Sequence, residues 1–409
     1  MATTTSSTTG PASPDDVAAA PQEFSIRSGL PPRVSQALAV LVIVLAFLLP
    51  FLFDPASGFL SDSILALSFV IMALGLNIVV GFAGLLDLGY VAFFAFGAYT
   101  VGWFASGFFD GASVHVLVSG QAELLPGIHL NFLLVLLVSM VICAIVGVLI
   151  GLPTLRLRGD YIAIVTLAFG EIIRIFAING DGISLGGDAK LTAGRQGITP
   201  VDPVKLPFVD QFSRLLDLRP WYWLALVLVL ITLFVVIRLR DSRLGRAWIA
   251  LREDEVAAVS MGVPLVRTKL AAYAVGAAFG GVAGAFRASY SNTVNADQFA
   301  FQFSTFVLAM VILGGLGSIW GVVLGAILLS FLNYWLIPDV LADVPSKLGL
   351  DFSLVDVSFG IFGFILVFVM VLRPQGLLPE GRRKIELTGA AAAVDKGDEH
   401  EEPVLEGRA

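Results

Sequence analysis

The chain has 409 residues, of which 57% are apolar and only 14% charged, with 42 glycines. A soluble domain is nearer half apolar and a quarter charged, so this composition excludes an ordinary water-soluble enzyme or binding module and points to a membrane protein. The formal net charge of −7 owes much to a terminal cluster of Glu386, Asp395, Asp398, Glu399, Glu401, Glu402 and Glu406, which reads as a solvated tail; nothing suggests nucleic acid.

Residues 1–35 are rich in Ser, Thr, Ala and Pro. They lack the basic stretch followed directly by an apolar core that a cleaved signal requires, and are expected to be a disordered cytoplasmic tail. The membrane-spanning body then runs from 36 to 376, and an acidic tail from 377 to 409. A membrane helix needs about 20 apolar residues. Ten segments approach that length: 36–53, 62–82, 88–108, 130–151, 160–178, 220–238, 268–288, 302–317, 319–337 and 354–372. The predicted fold class is therefore all-α, a polytopic membrane helix bundle of about ten spans.

Basic residues orient the spans. Arg156 and Arg158 lie in one turn, seven Arg and Lys side chains lie between Arg238 and Lys269, and Arg373, Arg382, Arg383 and Lys384 follow the last span. Ten spans place all three groups on one side, with both termini inside. The longer, acidic loops at 109–129, 179–219, 289–301 and 338–353 fall on the other side.

Four features along the spans carry chemical information. First, the stretch 75–90 joins spans two and three and holds Gly75, Asn77, Gly81, Gly84, Asp87, Gly89 and Tyr90. A backbone loosened at membrane depth is tolerated only against protein or a water-filled cavity, so it reads either as a tight turn or as part of a pathway. Second, Glu171 and Arg174 stand three apart on the fifth span and share a face. Either charge alone at the bilayer centre costs about 2.5–3.5 kcal/mol, so they are expected to be paired, as a structural bridge or in a pathway. Third, Gly276, Gly280 and Gly284 recur every four residues, as do Gly317, Gly321 and Gly325, and Gly147 pairs with Gly151. Such stripes let helix backbones approach closely. Fourth, Cys143 is the only cysteine and sits in an apolar run, while His115, His129 and His400 show no metal-ligand spacing. No cofactor, metal or catalytic set is expected.

The loop 239–267 is the most telling segment. A single helix is expected over 246–262, free of proline and stopped by Gly262-Val263-Pro264. Arg246, Arg252, Glu253 and Glu255 charge it, and Ala257 and Ala258 keep one side thin. A short, rigid, charged helix between two spans suits insertion into a partner's groove, though it also fits a solvated connector.

Several ordered motifs then carry a resemblance. They include Gly75-Leu76-Asn77 with Gly81 and Gly84, Leu88-Gly89, Ala92-Phe93-Phe94 with Gly97-Ala98-Tyr99, Leu155 to Phe169, Gly245-Arg246-Ala247, Ala257-Ala258 with Gly262, Leu313 to Ser318 with Gly321, and Arg373-Pro374-Gln375-Gly376. Over about 70–376 the chain resembles the LivM type of permease from bacterial ABC importers of branched-chain amino acids. The resemblance implies a non-enzymatic, multi-pass subunit of the bacterial inner membrane. It also implies partners: a second, LivH-like permease, two cytoplasmic ATPases docking on 246–262, and a periplasmic or extracellular substrate-binding protein. The family's first motif often has Gln, Ser and His where this chain has Leu85, Asp87 and Tyr90, and Val256 stands where related permeases carry Glu. A urea or small-amide importer therefore remains open as to substrate. An ion-coupled secondary transporter, using Asp87, Glu171 and Arg174, is the alternative from another class. Asn77, Asp87, Tyr90, Glu171 and Arg174 are the pathway candidates.

Overall fold

The structure, a computed structural model, describes residues 41–118, 125–157, 159, 161–186, 189–205, 212, 216–340, 357–373 and 375–378. The expected N-terminal tail, almost all of the C-terminal tail and the ends of the first and tenth expected spans lie outside these residues. Residues 41–48 form helix α1, in a unit separate from that of the residues from 49 onward.

The second unit is mainly helical. In chain order it contains α2 (Gly58–Leu76), continued by a π-helical stretch Asn77–Phe82, then α3 (Val91–Phe104), α4 (Phe132–Thr154), α5 (Tyr161–Asn179) and α6 (Arg219–Asp241). Two short helices follow, α7 (Arg243–Glu253) and α8 (Glu255–Ser260). Then come α9 (Leu265–Ser291), α10 (Phe301–Gly314) and α11 (Ile319–Phe331), which continues as a π-helical stretch Leu332–Val340, and finally α12 (Ser358–Leu372). Six of the described helical stretches are long and apolar enough to cross a membrane: Gly58–Phe82, Phe132–Thr154, Tyr161–Gly182, Arg219–Asp241, Leu265–Ser291 and Ile319–Asp339. The 23 residues of α4 rise about 35 Å, a little more than a hydrocarbon core. Val91–Phe104 and Phe301–Gly314, expected as full spans, are shorter apolar helices.

The centre of the bundle is α9, packed against α2, α3 and α4. Its small residues allow this. A Cβ built on Gly284 would lie 2.0 Å from the carbonyl oxygen of Phe94 on α3, and one on Gly276 would lie 2.4 Å from Val79 Cγ2. Gly280 faces Phe93 and Tyr90 at 3.1–3.3 Å. On the other stripe, a Cβ built on Gly321 or Gly325 of α11 would lie 2.2 Å from the Gly314 carbonyl oxygen or 2.3 Å from that of Met310 on α10. In lipid, where apolar burial gives helices no drive to associate, such backbone contact supplies the attraction. Gly317 differs from the expectation. It lies in the turn between α10 and α11 with φ +85°, a conformation glycine adopts without a Cβ penalty, and it does not belong to a helix face. Cys143 is buried and its thiol contacts the Phe93 carbonyl oxygen at 3.3 Å.

The fold is not purely α. Strands β1 (Ala105–Ser106), β2 (Ser113–Val116) and β3 (Gly127–Leu130) pair in the order β1-β3-β2, and β4 (Ser184–Gly186) pairs with β5 (Ala189–Lys190). They arise in the long loops, where backbone amides outside any helix need partners. Bridges Ser106–Val201 and Ile198–Val294 join these loops at the end of the bundle where α3 and α9 finish. Buried His129 pairs there with Asp202 at 2.8 Å and stacks on His115. Burial pushes the Asp202 carboxyl above the usual carboxylate range, against the opposing pull of His129.

Candidate functional site

The opposite end of the bundle carries α7 and α8. The expected single helix is in fact two. Ser242 caps α7, its Oγ accepting from the Gly245 amide at 3.2 Å. The helix breaks at Asp254, whose backbone is extended (φ −151°, ψ 109°). Asp254 Oδ1 accepts from the Val256 and Ala257 amides at 2.8 and 2.9 Å, so a good N-cap residue outcompetes helix continuation. Gly262, at φ +89°, ends α8 as expected. Asp254→Ala should cost about 1 kcal/mol of local stability, seen as roughly fivefold faster amide exchange over 255–260.

Three side chains fasten this pair of helices to the bundle. Trp248 is fully buried and its indole N–H donates to the Thr268 carbonyl at 2.7 Å, pinning α7 to the first turns of α9. Glu255 forms an ion pair with buried Lys269 at 2.7 Å. Arg252 reaches into the bundle and donates from Nη1 to the Gly81 carbonyl, near the end of the π-helical stretch after α2. The last carbonyls of a helix lack intrahelical partners, and a cation there also complements the helix dipole. Arg252 and Glu255 were expected to face an ATPase. Arg252 is tied inward instead, because the π-helical stretch after α2 offers it a carbonyl, and Glu255 is held by Lys269 of α9 with its side chain still about half exposed (47%).

The exposed surface of α8 and its cap carries apolar side chains beside Glu255 and Ser260. Val256 is 77% exposed, Val259 45% and Met261 86%. Glu253 and Ala257 are exposed, while Ala258 is buried against its own chain. Arg246 bonds the Asp241 carbonyl at 2.7 Å and so stays near the end of α6.

Beneath Arg252 lies the 83–90 segment. Together with the starts of α5 and α9 they line an open cavity of about 510 Å³, whose walls include Ala83 to Leu86, Leu157, Ile162, Leu251, Arg252, Glu255, Val256 and Lys269. The segment is neither a simple turn nor a plain helix break. The π-helical geometry carries the chain to Phe82, and the loop then folds against α5 so closely that a Cβ on Gly89 would meet the Thr166 carbonyl at 1.8 Å.

Three of the pathway candidates gather around this segment. Asn77 is fully buried and its Oδ1 accepts from the Gly317 amide at 3.0 Å, tying the π-helical stretch after α2 to the α10–α11 turn, while its Nδ2 has no partner among the described residues. The Tyr90 hydroxyl donates to the Gly276 carbonyl at 2.6 Å. Asp87 is buried, and its Oδ1 accepts from the Gly89 amide at 2.8 Å. Glu171 and Arg174 stand elsewhere on α5, paired with each other at 2.9 Å with side chains about a third exposed. Thr166, which accepts from the Leu88 amide at 3.0 Å, and Lys269 were not singled out by sequence. Threonine in an apolar helix gives no pattern, and Lys269 reads there only as one of several orienting charges.

Comparison with known proteins supplies the decisive observation. Residues 60–370 match the family described as the permease component of the branched-chain amino acid transport system. The chain belongs to this permease family. It is 38% identical to the high-affinity branched-chain amino acid transport permease LivM of Escherichia coli, over 86% of this chain and 77% of the relative. A probable LivM of Methanocaldococcus jannaschii is 26% identical over 76% of this chain and 90% of its own length. The Escherichia coli LivH permease is 29% identical, over 40% of this chain and 47% of its own length. No solved structure matches. Family membership and the six long apolar helices together make this a multi-pass membrane permease.

Proposed function

We propose that this chain is the gate subunit of an ATP-driven importer of branched-chain amino acids in a bacterial inner membrane. It has ten spans, with the α7–α8 end in the cytoplasm. No Gly-x-x-x-x-Gly-Lys-Ser/Thr loop occurs in the sequence, so ATP is bound and hydrolysed by separate subunits. The permease itself catalyses no reaction. The single observation that carries the reading is the exposed apolar set Val256, Val259 and Met261 at the end of a short helix pair, α7 and α8, that is fastened to the bundle at three points. An ATPase groove takes this patch, and the fastenings carry its movement to α2 and α9 as a rigid-body switch.

A second, LivH-like permease completes the pair, supported by the shared identity with that protein type and by α4, α5 and α6, which leave much surface outside the bundle. A substrate-binding protein delivers the amino acid to the opposite end. The ion-coupled alternative draws on Asp87, Glu171 and Arg174 together, but the last two are paired with each other on α5, which leaves it only Asp87, whose Oδ1 takes the Gly89 amide while Oδ2 is buried without a partner among the described residues.

The test is to replace Val256 and Met261 together by Glu. The bundle should fold, because both side chains are exposed. Recovery of ATPase subunits with the tagged permease should fall at least about tenfold, the equivalent of 1.4 kcal/mol of docking energy. Undiminished recovery, or uptake that survives ATP depletion and collapses with an uncoupler, would sink the reading.

A further inference from the structure

The Arg373-Pro374-Gln375-Gly376 motif follows α12, and after it the chain turns back onto the bundle. The Leu377 amide donates to the Leu313 carbonyl at 2.9 Å, and the Leu378 amide to the Gly314 carbonyl at 3.2 Å. Leu313 and Gly314 are the last two residues of α10, where the terminal carbonyls have no partner inside the helix. Residues 375–378 thus form a strap over the end of α10. A Cβ on Gly376, at φ +81°, would lie 2.5 Å from the Gly315 Cα, and one on Gly321 would lie 2.8 Å from the Leu378 carbonyl oxygen. The strap is therefore wedged between the end of α10 and the first turn of α11.

The turn beneath the strap is the soft point between the coupling helices and the rest of the bundle. Gly315 and Gly317 both hold positive φ, at +115° and +85°, in a chain segment that glycine leaves as easily as it enters. On one side this turn meets the coupling helices. Arg252 of α7 donates to the Gly81 carbonyl, a Cβ on Gly81 would lie 2.7 Å from the Gly317 amide nitrogen, and that amide donates to Asn77 Oδ1 at 3.0 Å. On the other side it meets the strap, whose Gln375 and Leu378 carbonyl oxygens would lie 3.0 and 3.2 Å from a Cβ on Gly315. Beyond the strap, α12 packs on α10, but none of the residues Gly363–Leu372 is buried. At this end α12 is joined to the bundle by the main-chain pairing of the strap rather than by buried side chains of its own.

We propose that residues 375–378 are a backstop for coupling. They hold the α10–α11 turn stiff, so that a displacement of Gly81 by α7 moves α10, α11 and α12 together instead of being absorbed by the glycines. Coupling over such a distance needs a contiguous set of packed elements that shift as a body, and a loose turn in the middle would break it. Gly376 and Leu377 are positioning residues: they act through the turn. The role rests on the importer reading and extends its path of movement from α2 and α9 to the last described helix.

The experiment uses the complete importer in proteoliposomes, with leucine uptake and ATP hydrolysis measured on the same preparation. Leu377→Pro removes the N–H that pairs with Leu313, whereas Leu377→Ala keeps it. Leucine moved per ATP hydrolysed should fall at least about fivefold in Leu377→Pro. The ATPases should still co-purify, and the melting temperature should stay within about 3 °C of wild type. Leu377→Ala should retain most of the transport ratio. Gly376→Ala, whose Cβ must push the strap off Gly315, should lower the ratio as the proline does, and it is read alone if Leu377→Pro does not accumulate. A ratio unchanged in the strap variants overturns the backstop even where yield or melting falls, because a purely structural contact would give that result. Loss of the ATPases from a strap variant also overturns it and moves 375–378 to the docking surface. A wild-type importer that takes up no leucine, or takes it up without hydrolysing ATP, fails differently: it removes the importer reading, and the backstop with it.

Discussion

Gly284→Val should remove most of the folded permease from the membrane. The new Cβ would fall 2.0 Å from the Phe94 carbonyl oxygen and 3.0 Å from the Ala98 amide nitrogen. Both are backbone atoms of α3, so no side chain can swing aside, and α3 and α9 must separate. Overpacking in a fixed core costs about 1–3 kcal/mol and occasionally more, against a total stability of only about 5–15 kcal/mol. In detergent, the surviving protein should melt at least about 5 °C below wild type. Gly363→Val on α12 is the control, since a Cβ there meets nothing within 4 Å. It should accumulate and melt as wild type does. A Gly284 variant with normal yield and melting would show that α3 and α9 do not touch along their backbones.

Arg252→Ala should leave the ATPases bound while transport fails. The guanidinium joins the α7–α8 element to the Gly81 carbonyl, and through the adjacent Asn77 to the α10–α11 turn. Losing a charge-assisted hydrogen bond of this kind costs about 1.5–3 kcal/mol, enough for at least a tenfold fall in coupled uptake. The ATPases should still co-purify, because Val259 and Met261 are exposed and do not line the cavity that Arg252 shares with Val256. Hydrolysis should continue with few substrate molecules moved per ATP. Arg252→Lys keeps one donor without the fork and should recover part of the coupling. Lost co-purification in Arg252→Ala would return this residue to the docking surface, where sequence reasoning put it.

The difference between those two positions for Arg252 shows what a sequence can carry. Apolar runs of membrane length follow directly from composition, because hydrocarbon tolerates no unpaired backbone. The glycine stripe at 276, 280 and 284 is legible because the helix period alone places it on one face. The element between Arg238 and Lys269, with its stop at Gly262, is legible because capping and helix propensity are local. The family resemblance, read from ordered motifs over about 70–376, agrees with the family match over residues 60–370.

Tertiary structure decided the rest. Asp254 caps a second helix instead of continuing the first, since its carboxylate can satisfy two amides only where the backbone turns. Gly317 shares the spacing of Gly321 and Gly325 yet sits in a turn, where Asn77 from a distant helix binds its amide. Arg252 and Glu255 look like docking charges in a row of letters, but a free carbonyl at Gly81 and a buried ammonium at Lys269 draw them inward. Arg287 shows the converse: the sequence displays a charge in an apolar run, and only the packed bundle reveals that no described carboxylate answers it. Local periodicity fixes which residues share a face. Which partner that face meets is set by the packing of the whole bundle, whether the partner is as near in sequence as Lys269 is to Glu255 or as far as Gly81 is from Arg252.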